Sequence, residues 1–113
     1  MKIYHNNRCS KSRQALRLLK NINPNIEIIE YLKKPLTFKN VELLLLKLKI
    51  KPIQLIRKEE KEWKENYRGK DMTDTEIIKA IVKFPKLMQR PIITKGEKAI
   101  IGRPVENILK MFN

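Results

Sequence analysis

The stretch Lys2-Ile3-Tyr4-His5-Asn6-Asn7-Arg8-Cys9-Ser10-Lys11-Ser12-Arg13 decides the fold. Its first four residues read as a short strand that stops at an Asn-Asn pair. A polar segment then leads into apolar residues at helical spacing, Ala15, Leu18, Leu19 and Ile22, with Pro24 as the stop. Asn25-Ile26-Glu27-Ile28-Ile29-Glu30-Tyr31 follows and is rich in strand formers. A strand, a helix and a second strand in this order predict a parallel β-α-β unit with a right-handed crossover.

Outward from that unit, three more segments carry the 3.6-residue period. Val41, Leu44, Leu45 and Leu48 follow Thr37, an N-cap residue, and precede Pro52. Ile77, Ala80, Ile81 and Phe84 are introduced by Thr73-Asp74-Thr75-Glu76, a capping box, and closed by Pro85. Val105, Ile108, Leu109 and Phe112 predict a last α-helix with Pro104 at its first position. Residues 53–70 predict a turn and one further helix through Glu59-Glu60-Lys61-Glu62-Trp63. Pro91-Ile92-Ile93-Thr94 and Lys98-Ala99-Ile100-Ile101 flank Lys95-Gly96-Glu97, a hairpin turn. The expected architecture is α/β: a four-stranded mixed sheet with helices on its faces and a helical middle, in one domain spanning residues 1–113.

Composition removes several classes of protein. At 113 residues, 42% hydrophobic and 34% charged, the chain reads as a soluble globular domain. Its longest apolar run, Leu43 to Leu46, falls far short of the roughly 18 residues of a membrane span. The N-terminal residues show no secretory h-region, so the expected compartment is the cytoplasm. One cysteine and one histidine exclude an internal disulfide and a structural zinc site. Twenty-six Lys and Arg against twelve Asp and Glu give a net charge of +14. Residues 1–26 hold Lys2, Arg8, Lys11, Arg13, Arg17 and Lys20 and no acid, whereas residues 36–84 are mixed. The positive field therefore gathers around the segment that holds the cysteine. Charge without a reading motif gives only salt-sensitive affinity for nucleic acid, so specific nucleic-acid binding is not expected.

Cys9 lies between the first strand and the first helix, where unpaired backbone N–H groups and the positive end of the helix dipole favour thiolate. Arg8, Lys11 and Arg13 are close in sequence and add positive charge. Such surroundings bring cysteine pKa values from ~8.5 to roughly 3.5–7.5. The same N–H groups suit an oxyanion beside the nucleophile. His5, four residues earlier, is the candidate to polarise or deprotonate the thiol. Ser12 takes the second position of a C-x-x-C-like spacing, so any redox cycle needs a thiol from another molecule. Arg57, Arg90 and Arg103 stand beside structural punctuation, and each offers a planar fork of donors suited to an oxyanion. Spacing alone does not bring the three together.

His5-Asn6-Asn7-Arg8-Cys9-Ser10-Lys11-Ser12-Arg13 resembles the H-N-P-x-C-x-x-S-R signature of the glutaredoxin-coupled arsenate reductases. Leu55-Ile56-Arg57-Lys58, Gln89-Arg90-Pro91-Ile92-Ile93 and Gly102-Arg103-Pro104 resemble that family's three later arginine motifs, in the same order. The resemblance implies a thioredoxin-like fold with an all-helical insertion near residues 35–85. It implies a Cys9 nucleophile assisted by His5, and an oxyanion held by Arg57, Arg90 and Arg103. Asn6, Ser12, Arg13 and Pro91 would support the site, with a cis peptide before Pro91. It also implies arsenate or a similar oxyanion as substrate, glutathione as co-substrate and glutaredoxin as partner. No metal, no tightly bound cofactor and a monomer are expected. Asn7 departs from the family's usual proline, which implies a less rigid loop before Cys9. The same superfamily holds Spx-type regulators that bind RNA polymerase and commonly carry C-x-x-C. Ser12 favours the reductase branch, and a non-enzymatic regulator is the alternative.

Overall fold

The computed structural model describes residues 1–112, which fall into two compact units. The first comprises residues 1–34 and 90–112, and the second runs from Pro35 to Gln89.

The first unit holds the sheet. Strands β1 (Lys2–Tyr4), β2 (Glu27–Ile29), β3 (Ile92–Lys95) and β4 (Lys98–Ile101) lie in the order β2-β1-β3-β4. β1 pairs parallel with β2 and antiparallel with β3, and β3 pairs antiparallel with β4, so the sheet is mixed as expected. The expected strand over residues 25–31 shortens to Glu27–Ile29 because β1 offers only Lys2–Tyr4 as partners. The hairpin turns at Gly96, whose φ of +60° suits the first central residue of a two-residue II′ turn.

Helix α1 (Ser10–Ile22) buries Ser12, Ala15 and Leu19. Ala15 and Leu19 join Ile3, Ile26, Ile93, Ile108 and Met111 in one apolar cluster, which fastens α1 and the C-terminal helix to the sheet. Registry places Ile3 beside Ile93 and Ile93 beside Ile100, so these side chains share one face. Each buried aliphatic side chain in such a cluster contributes about 1.5–3 kcal/mol of transfer free energy.

The C-terminal helix departs from expectation. Val105–Phe112 is a 3₁₀ helix, not an α-helix. Its buried residues Ile108 and Met111 follow Val105 at steps of three, the period of a 3₁₀ helix. Leu109 and Phe112, which an α-helical face would bury, are 48% and 37% exposed.

The second unit contains α2 (Phe38–Leu48), α3 (Lys61–Asn66) and α4 (Asp74–Lys83), with 3₁₀ turns at Pro52–Leu55 and Pro85–Leu87. Thr37 and Thr73 cap α2 and α4, each accepting from the backbone N–H three residues on. Asn40 and Glu76 return the bond to the cap's own N–H. Val41, Leu44, Leu45, Ile77, Ala80 and Ile81 are buried, matching the expected faces. The segment is not wholly helical, since Ile56 and Met88 form an isolated antiparallel bridge. No described helix is long and apolar enough to cross a membrane.

Candidate active site

Cys9 is the N-cap of α1, in extended conformation, and its carbonyl accepts the Arg13 N–H at 3.0 Å. Its side chain is 9% exposed. Burial, the largest single influence, pushes the thiol's pKa up. Backbone N–H groups of Ser12 and Lys11 and the Arg90 guanidinium together outweigh it, so the net value falls below the ordinary 9.0. Arg103 adds a second cation, its Nη2 donating to Cys9 Sγ at 3.5 Å.

The sources of this field differ in part from expectation. The helix N-terminus acts as predicted, but through Lys11's backbone and not its ammonium group. Arg8, Lys11 and Arg13 are exposed, and the cations at the sulfur come from residues 90 and 103.

His5 is buried at the end of β1, where its backbone N–H donates to Ile29 O at 2.9 Å. Its Nδ1 lies 2.6 Å from Ser12 Oγ, and the same oxygen accepts the Asn6 N–H at 3.1 Å. Burial lowers the His5 pKa, with Arg13 and Lys20 adding to the effect. An Asn7 bond and the Glu30 charge oppose it without overcoming it. A neutral ring with Nδ1 as acceptor matches a Ser12 hydroxyl that already accepts from Asn6 and donates its own proton. His5 therefore meets the thiolate through Ser12, whose backbone N–H bonds the sulfur.

Three further bonds hold the loop before Cys9. Cys9 N–H donates to Asn6 O at 3.0 Å and Arg8 N–H to Asn6 Oδ1 at 3.0 Å. Arg13 Nη1 donates to Asn7 O at 2.9 Å, while Asn6 N–H is taken by Ser12. Asn6, Ser12 and Arg13 thus all bear on the loop before the sulfur.

Arg90 and Arg103 come from the two ends of the β3–β4 hairpin. Both precede prolines, and both Arg90–Pro91 and Arg103–Pro104 are cis. Gly102 N–H donates to Pro91 O at 2.9 Å. A Cβ on Gly102 would come within 2.8 Å of Ile93 Cδ1 and 3.2 Å of Pro91 Cγ, so any larger residue would have to displace these buried side chains. Asn107 Nδ2 donates to Arg103 O at 3.2 Å and to Ile101 O at 3.4 Å. Arg103 Nε is buried with no hydrogen-bond partner among the described residues, leaving a donor available to an anion. Sequence reasoning passes over Gly102 and Asn107 as positioning residues. A glycine between a strand and an arginine, and an asparagine one helical step after it, are the signals that would have marked them.

Arg57 belongs to the second unit. Its backbone N–H donates to Leu87 O at 2.7 Å, and Gln89 Nε2 donates to Ile56 O at 3.1 Å. The guanidinium, 12% exposed, lies 3.3 Å from Glu59 and 3.5 Å from Glu60, and its buried Nη1 makes no hydrogen bond among the described residues. Among the described residues, no group of three His, Cys, Asp or Glu side chains is placed to hold a metal.

A lone activated thiol at a helix N-terminus, faced by two guanidinium groups from a hairpin, defines a cysteine-based site for oxyanion chemistry. The ArsC family profile matches residues 4–111, and the chain belongs to that family. It is 41% identical to the YfgD protein of Escherichia coli over 98% of this chain and 95% of that one. It is 40% identical to an arsenate reductase of Haemophilus influenzae, covering 96% of each. The solved arsenate reductase from Vibrio cholerae superposes with a TM-score of 0.91 at 33% identity, covering 97% of each chain. The fold is the thioredoxin-like one expected.

Proposed function

We propose that this protein is an arsenate reductase-like oxidoreductase that uses Cys9 as its nucleophile. The observation that carries the reading is the Cys9 sulfur itself, with its pKa lowered by two backbone N–H groups and Arg90, and contacted by Arg103.

The Cys9 thiolate attacks the arsenic of arsenate and an oxygen leaves as hydroxide, giving a Cys9–S–As(V) adduct. Arg90 and Arg103 hold the oxyanion and disperse charge that grows in the displacement. A glutathione thiolate then attacks the Cys9 sulfur. The S–S bond forms, the S–As pair stays on arsenic, and As(III) leaves as arsenite. Glutaredoxin reduces the mixed disulfide and returns Cys9 as thiolate. His5 holds Ser12, and through it the loop and the N–H that faces the sulfur.

The test is arsenite release by purified protein supplied with arsenate, glutathione and glutaredoxin. Turnover that vanishes in Cys9→Ser, with oxyanion binding kept, is the expected result. No arsenite release, together with capture of RNA polymerase regardless of Cys9, would replace this reading with the regulator.

A further inference from the structure

Helix α1 carries an exposed cationic stripe, of which only the first member, Arg13, hydrogen-bonds the cysteine loop. At 100° per residue, Arg13, Arg17 and Lys20 fall within about 60° of arc, on the side of the helix where Cys9 sits. All three are exposed, and their exposed neighbours on the helix, Ser10, Gln14 and Asn21, are uncharged. The helix contains no acid, and none of the three forms an ion pair among the described residues. On α3, by contrast, Lys61 pairs with Glu65 at 3.8 Å.

The reach of the stripe selects its partner. At 1.5 Å per residue, Arg17 and Lys20 stand about 12 and 16 Å along the axis from Cys9. A tripeptide thiol with its sulfur at Cys9 meets only the first turn, so a thiol partner that also engages the farther cations must be larger, a macromolecule. That macromolecule must also deliver sulfur, because Cys9 is the only cysteine of the chain.

We propose that the Arg13–Arg17–Lys20 face of α1 is the docking surface for an acidic thiol protein that regenerates Cys9. The inference rests on the reductase reading above. With Cys9 only 9% exposed, the accessible atom of a Cys9–glutathione disulfide is the glutathione sulfur. The partner's thiolate attacks that sulfur, forming a partner–glutathione disulfide and breaking the bond to Cys9. Cys9 departs as a thiolate with the electron pair, received by the Ser12 and Lys11 N–H groups and Arg90.

The test uses the full chain with a preformed Cys9–glutathione disulfide, so it does not depend on arsenate turnover. Wild type and Arg17→Glu/Lys20→Glu are reacted with a reduced acidic glutaredoxin at low salt and at roughly 0.2 M salt. Arg13 is left intact because it holds the Asn7 carbonyl. The double variant should react about 10-fold or more slowly at low salt, with the gap closing as salt rises. Release by dithiothreitol, which is uncharged, should be equal in both. Equal glutaredoxin rates at low salt would overturn the proposal. So would an equal loss with dithiothreitol, which would place the effect in the Cys9 site itself. Labelled duplex DNA is the third arm: binding lost in the variant while thiol exchange is unchanged would assign the stripe to nucleic acid instead. If the stripe behaves as expected but no arsenite is ever released, only the substrate reading falls.

Discussion

Ser12→Ala is the sharpest probe of how the site is built. Ser12 is fully buried, and its Oγ meets His5 Nδ1 at 2.6 Å and Asn6 N at 3.1 Å. Removing the hydroxyl orphans a buried ring nitrogen and a part-buried N–H. Each orphaned group costs about 1–3 kcal/mol, with the Asn6 N–H at the low end because water can reach it. Alanine's better helix propensity returns about 0.5 kcal/mol. The expected net loss is therefore about 1.5–3.5 kcal/mol, a large share of the 5–15 kcal/mol typical of a domain. Urea unfolding followed by far-ultraviolet circular dichroism measures it as a lower midpoint at constant slope. A double-mutant cycle with His5→Phe should show coupling of about 1 kcal/mol or more, because each side chain is the other's partner. A loss below about 0.5 kcal/mol, or a cycle with no coupling, would refute the idea that Ser12 is the joint between His5 and the cysteine loop.

Alkylation of Cys9 against pH should show a midpoint below that of an ordinary thiol, ~8.5, and Arg103→Ala, which removes a donor 3.5 Å from the sulfur, should move it upward. Linkage follows: between the folded and unfolded thiol values the unfolded chain holds the extra proton, so this contribution is lost as pH falls through the folded value. His5, whose folded pKa lies below 6.5, acts in the same direction, and stability should decline as pH drops from about 6.5 through the folded value. His5→Gln should flatten that slope in pH-dependent denaturation. Arg103→Ala should lose about 10²-fold in kcat/KM for arsenate reduction, with little rescue by Arg103→Lys and little change in Arg68→Ala. Thr37→Ala should cost about 1 kcal/mol in unfolding free energy through loss of the α2 cap, leaving Cys9 alkylation untouched.

Elements marked by local chemistry were legible in the sequence. Thr37 and Thr73 cap their helices as their side chains dictate, and Lys98–Ile101 is a strand to the residue. What local pattern could not supply was partner length and period. β2 is cut to three residues by a three-residue neighbour, and the Val105–Phe112 segment fits periods of 3 and 3.6 almost equally well. At the site, the activated position of Cys9 could be read from a strand followed by a polar helix start. Spacing alone could not bring its cations to it, because Arg90 and Arg103 are more than eighty residues away and only the sheet returns them; the family resemblance is what named them. The Ser12–His5 joint was likewise hidden, since a seven-residue separation across a strand end and a helix start carries no periodic signal.

The hairpin that carries those two arginines also separates their placement from its own tip. Arg90 precedes β3 and Arg103 follows β4, while Gly96 and Glu97 turn the chain at the opposite end of both strands. The pairing of Ile92 with Ile101 sets the spacing of the cations regardless of how the far end is closed. Extra residues inserted at the exposed turn lengthen a loop whose closure entropy grows only slowly with length. A single residue deleted within either strand would flip every side chain beyond it to the other face. The tip is accordingly where a peptide tag or reporter can be carried at little cost to the thiol site.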